Sequence, residues 1–347
     1  MELSSRKLEI LKAIVDDFIV TGVPVGSRTI SKKSGMGLSS ATIRNEMSDL
    51  EELGLLEQPH TSAGRVPSQL AYRLYVDRLM RVERLTKPEI DHLRGYFTQQ
   101  MDEVEQVIDR TAKILSDATH YTSMVLAPKF DNMLIKGVHL VPISQGLALL
   151  VVVTDKGVFK DTTMRIPGGI DPEYLHRISG MLTERLAGLR PGEVQSALRE
   201  FLKPDLGAYR QFFKELMDAV EQNFAAGEKR EVVLGGAANI LNYPEYSDMD
   251  KARNFLMTLE TKDVLYELLN RASKMEFSVT IGTENEFEQM RDCSVVTATY
   301  KIGDQTLGSF GVIGPTRMDY GKVISVLDYM GKSLGEILSE LMKRGEI

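Results

Sequence analysis

The chain has 347 residues, enough for two or three domains with cores of their own, and its 43% hydrophobic and 26% charged residues are ordinary for a globular protein. One cysteine, Cys293, and five scattered histidines exclude an internal disulfide and a cysteine-rich metal site, and no apolar stretch nears the roughly 20 residues of a membrane span. A net charge of −7, from 42 Lys and Arg against 49 Asp and Glu, argues against a uniformly basic nucleic-acid binder.

That charge is unevenly placed. Residues 1–82 carry 11 basic and 10 acidic side chains, against 31 and 39 in the remainder. Phe18 to Asn45 contains no Asp or Glu, where the chain average gives about four. Arg28, Lys32, Lys33 and Arg44 stand in that run. Met1-Glu2-Leu3 leads into charged residues rather than an apolar export signal, so a cytoplasmic protein is expected.

Leu8, Leu11, Val15, Phe18 and Ile19 recur at threes and fours, which predicts an amphipathic helix over about 5–21 that Gly22 stops. Ser27 is a good N-cap for a short second helix, Arg28 to Ser34, and Gly35-Met36-Gly37 breaks it. Ser39 caps a third helix to about Leu53, with Gly54 just beyond. On this third helix Ile43, Met47 and Leu50 face inward, while Ala41, Arg44, Asn45 and Ser48 lie opposite, with Thr42 at the edge. Small hydroxyls, an amide and an Arg suit a major groove: Asn pairs bidentately with adenine and Arg with guanine. Helix, short helix, glycine turn and helix make a helix-turn-helix. Leu55 to Pro59 and Val66-Pro67 flank His60 to Arg65 as a hairpin, a wing that would bring Arg65 and His60 to a phosphate or the minor groove. The bland alternative is a three-helix unit whose polar face is only solvated. The coincidence of missing acid, outward polar set and wing favours DNA.

Three segments here are similar to a known family. They are Pro24-Val25-Gly26-Ser27-Arg28, Leu38-Ser39-Ser40-Ala41-Thr42-Ile43-Arg44-Asn45-Glu46-Met47 and Pro59-His60-Thr61-Ser62-Ala63-Gly64-Arg65-Val66-Pro67-Ser68. They resemble the HrcA family of bacterial heat-inducible transcription repressors. The similarity continues at Val233 to Gly236, Asn242 to Ser247, Ile281 to Asn285 and Ile313 to Tyr320, so it spans essentially the whole chain. It departs at Gln69-Leu70-Ala71-Tyr72-Arg73, where the family pattern has a charged pair and Gly before the Tyr.

Residues 68–81 predict a further helix, with Leu70, Leu74, Tyr75 and Leu79 on one side. Ile90, Leu93, Phe97, Met101, Val104, Ile108 and Leu115 then form a longer helical series. It is either a connection between modules or an ordinary amphipathic helix lying on its own domain. Beyond it the period changes. Ile135 to Ile143, Leu147 to Thr154 and Val158 to Ile166 are strands joined by Ser144-Gln145-Gly146 and Asp155-Lys156-Gly157. Helical stretches dominate the middle (Gln195 to Leu202, Tyr209 to Asn223). Phe277 to Ile281, Val295 to Ile302 and Thr306 to Ile313 are strands again, before a closing helix from Tyr320 to Lys343. This is an α+β multidomain chain.

The resemblance implies an N-terminal winged helix-turn-helix domain (1–82), a connecting helix (83–120), and a GAF-like domain (121–191 and 263–347) interrupted by an inserted dimerisation domain (192–262). It also implies a homodimer that represses chaperone operons through an inverted-repeat operator, CIRCE, with activity lost on heat stress and supported by the chaperonin GroEL. Double-stranded operator DNA is the expected partner. Ser39, Ser40, Arg28, Lys32 and Lys33 are expected at phosphates, Thr42, Arg44 and Asn45 at base edges, and Arg65 and His60 on the wing. A small-molecule sensor using the GAF-like domain is the alternative. No nucleophile–base pair, metal ligand set or carboxylate constellation suggests an enzyme, and no cofactor is expected. A lone Cys293 in a strand-rich segment is more often packing than a redox sensor.

Overall fold

The computed structural model describes residues 3–59, 64–97, 104–128, 134–155, 157–167, 170–190, 193–201, 210–225 and 232–344. The fold is mixed, with helices packed on antiparallel sheets. Helix α1 (Ser5–Thr21) starts at the side-chain cap Ser4 and stops at Gly22, whose φ of +63° only a residue without Cβ adopts freely. Helices α2 (Ser27–Lys33) and α3 (Ser40–Glu52) follow: Ser39 caps α3 as expected, whereas α2 takes Ser27 into its first turn and starts at Gly26 with no side-chain cap. Strand β1 (Leu56–Glu57) pairs antiparallel to β2 (Val66–Pro67). Ile10, Leu11, Ile14, Ile30, Ile43 and Leu50 are all buried together in this unit. His60 and the rest of the hairpin tip lie outside the described residues, as do Met101 and Lys156 of the expected elements.

The helix expected over 68–81 divides. Helix α4 (Gln69–Leu74), capped by Ser68, passes into a π-helical turn, Tyr75–Leu79, closed by Met80 N–H to the Tyr75 carbonyl at 2.8 Å. The longer apolar series forms α5 (Lys87–Gly95) and α6 (Val104–Thr119). Of the two readings left open, α6 takes the one of an amphipathic helix on its own domain. Its Val107, Ile108, Ala112 and Leu115 are buried in the body's core.

Five strands build that body, in the order β7 (Val232–Gly235), β3 (Thr122–Leu126), β10 (Gln305–Pro315), β9 (Cys293–Ile302), β8 (Phe277–Ile281). Side-chain alternation along a strand decides which face each residue covers. Val296, Ala298, Tyr300, Phe310 and Val312 pack with α6 and with α12 (Tyr320–Arg344). Cys293, Val295, Ile313, Met124 and Leu126 pack on the other face with α10 (Met249–Glu260) and α11 (Lys262–Ala272). Helices on both faces explain why β9 and β10 are buried along most of their length.

The three strands of the middle section depart from expectation. Strands β4 (Ile135–Ser144), β5 (Leu147–Thr154) and β6 (Gly157–Arg165) form a sheet of their own, in that order. Helices α7 (Pro172–Leu186), α8 (Val194–Phe201) and α9 (Arg210–Ala225) complete it. Leu140, Leu150, Val152, Leu182, Leu198 and Leu216 share one core, separate from that of the body. The open edge of β4 is covered by α7: Ser179 Oγ accepts from Leu140 N–H at 2.8 Å and Thr183 Oγ1 from Val138 N–H at 2.9 Å. A boundary between residues 191 and 192 would therefore cut one core, with Leu186 and Val194 buried on its two sides. Val232–Gly235, placed by sequence in the insertion, is an edge strand of the body's sheet. No described helix is long and apolar enough to cross a membrane.

Candidate nucleic-acid interface

The α2–α3 turn is fixed by local polar bonds. Ser31 Oγ donates to the Leu38 carbonyl at 2.8 Å. Ser39 Oγ accepts from Thr42 N–H at 3.1 Å and lies 2.9 Å from Thr42 Oγ1, so both hydroxyls are engaged in the cap. With Ile43, Met47 and Leu50 buried, α3 presents Ala41, Arg44, Asn45 and Ser48 to solvent, as the periodicity predicts. Arg44, Asn45, Arg28, Lys32 and Ser40 have no hydrogen-bond or ion-pair partner among the described residues, and all but the half-buried Ser40 are exposed. Unpaired donors on one rigid helix face keep their capacity for an external acceptor.

Two expected contacts are already engaged within the unit. Lys33 Nζ pairs with Asp17 Oδ1 at 2.5 Å. Arg65 directs Nε and Nη2 to Glu51 Oε2, each at 2.8 Å, and so ties the hairpin to the end of α3. Its backbone also pairs with Val25 in both directions, at 2.8 and 2.9 Å. That approach requires Gly64, because a Cβ there would stand 2.4 Å from the Val25 carbonyl oxygen.

Sequence reasoning missed Glu46. It is 5% exposed and pairs with Arg6 at 2.5 Å and Lys7 at 2.9 Å, fastening α1 to α3. The Lys7 ammonium is raised above its ordinary pKa first by Asp49 and then by Glu46. The signal was its place three residues after Ile43, on the inward stripe.

The unit rests on the body through residues outside the expected set. Arg73 Nε donates to Glu284 Oε1 at 2.8 Å, and Arg317 Nη1 donates to the Ile19 carbonyl at 3.1 Å. Tyr72 and Tyr320 lie with ring centroids 6.3 Å apart. Glu89, bonded to Lys322 and to the Thr86 backbone, is held down to a pKa of about 2.

Residues 105–324 match the family described as HrcA protein C terminal domain. The chain is 42% identical to the heat-inducible transcription repressor HrcA of Ruminiclostridium cellulolyticum, across 99% of this chain and 100% of that protein. It is 41% identical to the repressor of the same name from Halalkalibacterium halodurans, over 99% of each. A solved structure described as a hypothetical protein at 2.2 Å resolution superimposes with a TM-score of 0.69 at 25% identity, covering 98% of this chain and 100% of that one.

Proposed function

The chain belongs to the HrcA family of heat-inducible transcription repressors, and on that premise we propose that it represses chaperone operons by binding an inverted-repeat operator as a homodimer. In this reading α1 to α3 and the β1–β2 hairpin are a winged helix-turn-helix, the five-stranded body is GAF-like, and the inserted dimerisation unit is residues 134–225. The separate sheet and core of that stretch support the last assignment. A dimer follows from geometry, since one recognition helix covers one half-site and two-fold symmetry matches an inverted repeat.

The observation that carries the reading is the partner-free Arg44 and Asn45 on the outer face of α3, at the end of the acid-free run Phe18 to Asn45. Arg44, Asn45 and Thr42 read base edges, while Arg28, Lys32, Ser39 and Ser40 hold phosphates. Lys33 and Arg65 reach DNA by exchanging Asp17 and Glu51 for phosphate oxygens, and His60, outside the described residues, is assigned to the wing on sequence alone. GroEL restores the folded dimer, and operator occupancy falls when heat loads the chaperonin with other clients.

Arg44→Ala should cost about 1–3 kcal/mol on operator and relax specificity at one symmetric base pair. Lys32→Ala should weaken all sequences alike and lower the salt slope by about one. Titrations of operator and random duplex across salt concentrations check both. Parent-like binding by the two variants would remove α3 from the interface.

A cavity of about 530 Å³ between α10, α11 and the start of β9, lined in part by Tyr246, Lys251, Asn254, Phe255 and Cys293, favours a small-molecule input as the second reading. Saturable metabolite binding that alters operator affinity of the full chain would support it.

A further inference from the structure

Transcription repression by α3 assigns no task to the contacts that hold the N-terminal unit on the body. They form two anchors on different helices. At the first, Gln69 Oε1 on α4 accepts from the backbone N–H and hydroxyl of Thr283, each at 2.9 Å. One turn on, Arg73 donates to the Val279 carbonyl at 2.7 Å and grips both oxygens of Glu284. A planar guanidinium bonded in three directions fixes orientation as well as proximity.

The second anchor is at the end of α1. The Ile19 carbonyl is among the last four of that helix, which no helical N–H can reach. The last turn of α1 has no basic residue. Arg317, from the segment between β10 and α12, supplies the missing donor. Its side chain is only 11% exposed, pairs with Glu245 and lies 5.5 Å from the Tyr243 ring centroid. Gly22 leaves the room, since a Cβ there would stand 3.1 Å from the guanidinium carbon. Between the anchors Tyr72 is 2% exposed and its hydroxyl has no partner among the described residues. A buried unmet hydroxyl adds nothing to holding the surfaces together, so the polar adhesion of the two anchors falls to Gln69 and the arginines.

The two surfaces also share apolar packing through Tyr72, which holds them together without fixing direction, whereas polar anchors on two separate helices set the angle. Both helices pack on α3 or its hairpin, and Lys7 on α1 is tied to Glu46 and Asp49 of α3. We infer that Arg73 with Glu284, and Arg317 with the Ile19 carbonyl, form a two-point clasp that sets the angle of α3 to the body, making Arg73 and Arg317 positioning residues for operator half-site spacing. The inference rests on the dimeric operator reading. Two recognition helices must enter grooves a set distance apart on one duplex, so their angle to the dimer frame selects the spacing.

The test uses the full chain with operators whose half-sites are moved apart in single-base-pair steps through one helical turn, and with an isolated half-site. The parent should prefer one spacing by roughly tenfold or more over a half-turn displacement. Arg73→Ala and Arg317→Lys should shrink that preference to about threefold or less while half-site affinity stays put. Arg73→Glu combined with Glu284→Arg regains the ion pair but not the bond to the Val279 carbonyl, so it should recover part of the preference, which a general loss of fold would not do. Spin labels at Ser48→Cys on α3 and Lys332→Cys on α12 give a readout without DNA: one narrow distance in the parent, a broadened one in the clasp variants. Folded variants with the parent's spacing profile and a narrow distance would overturn the clasp. A parent indifferent to inverted repeats would instead count against the dimeric operator reading, and the label distances alone would then decide the clasp.

Discussion

Cys293 shows how burial decides chemistry at a single residue. It is 2% exposed, its sulfur lies 3.1 Å from the Tyr246 hydroxyl, and burial pushes the thiol up to about 11. At neutral pH its thiolate fraction is about 100-fold below that of a free cysteine, so alkylation of the folded chain should be at least that much slower than in urea. Rapid labelling of the native protein, followed by mass spectrometry, would reinstate a redox role. Other residue roles divide by how local they are. Arg44 and Asn45 could be placed from helical period alone, since which way they face depends on neighbours three and four positions away. The engagement of Arg65 could not, because Glu51 becomes its neighbour only when the hairpin folds back on α3. Arg317 is further from inference still: its acceptor, Ile19, lies 298 positions away.

The start of α3 carries two readings of one hydroxyl, and an element-scale experiment separates them. Ser39 accepts from Thr42 N–H as the N-cap, and the same side chain is proposed at a phosphate. Ser39→Ala should cost about 1 kcal/mol of stability, read by urea denaturation of the full chain. Ser39→Asp caps equally well but sets a negative charge beside the DNA backbone. It should keep the stability and lose operator affinity; unchanged affinity would leave Ser39 a cap only. Elements with strong local signals were legible in this way: α1 and α3 from caps and stripes, β8 to β10 from β-branched runs and turns. Strands β3 and β7 were not, because each is four or five residues long and is specified by a distant partner, Thr122 by Ile313 and Leu126 by Val232. Strands β4 to β6 were legible as strands, but alternation says nothing about which sheet a hairpin joins. That is why β4 to β6 were read with the body rather than with the separate sheet and core they build.

Across the whole molecule, the cores do not follow the expected modules one for one. The N-terminal unit and the body share one continuous apolar cluster, from Ile10 through Tyr72 to Leu341, while residues 135–220 have their own. The two should melt as separate cooperative transitions in calorimetry, because little apolar packing couples them. Leu182→Ala, in the separate core, should cost roughly 2–5 kcal/mol and lower one transition only. Leu327→Ala should lower the other. Operator at 100-fold above its Kd should raise the second by about 2.7 kcal/mol, since α3 belongs to that cluster. If the inserted unit holds the dimer together, its transition should also rise with protein concentration, and operator release on heating should follow it rather than the melting of α3. Heat would then silence the repressor by parting two intact recognition helices, with each half-site contact too weak alone. A single transition shifted equally by both leucine variants would refute this division and place heat sensitivity in the molecule as one cooperative whole.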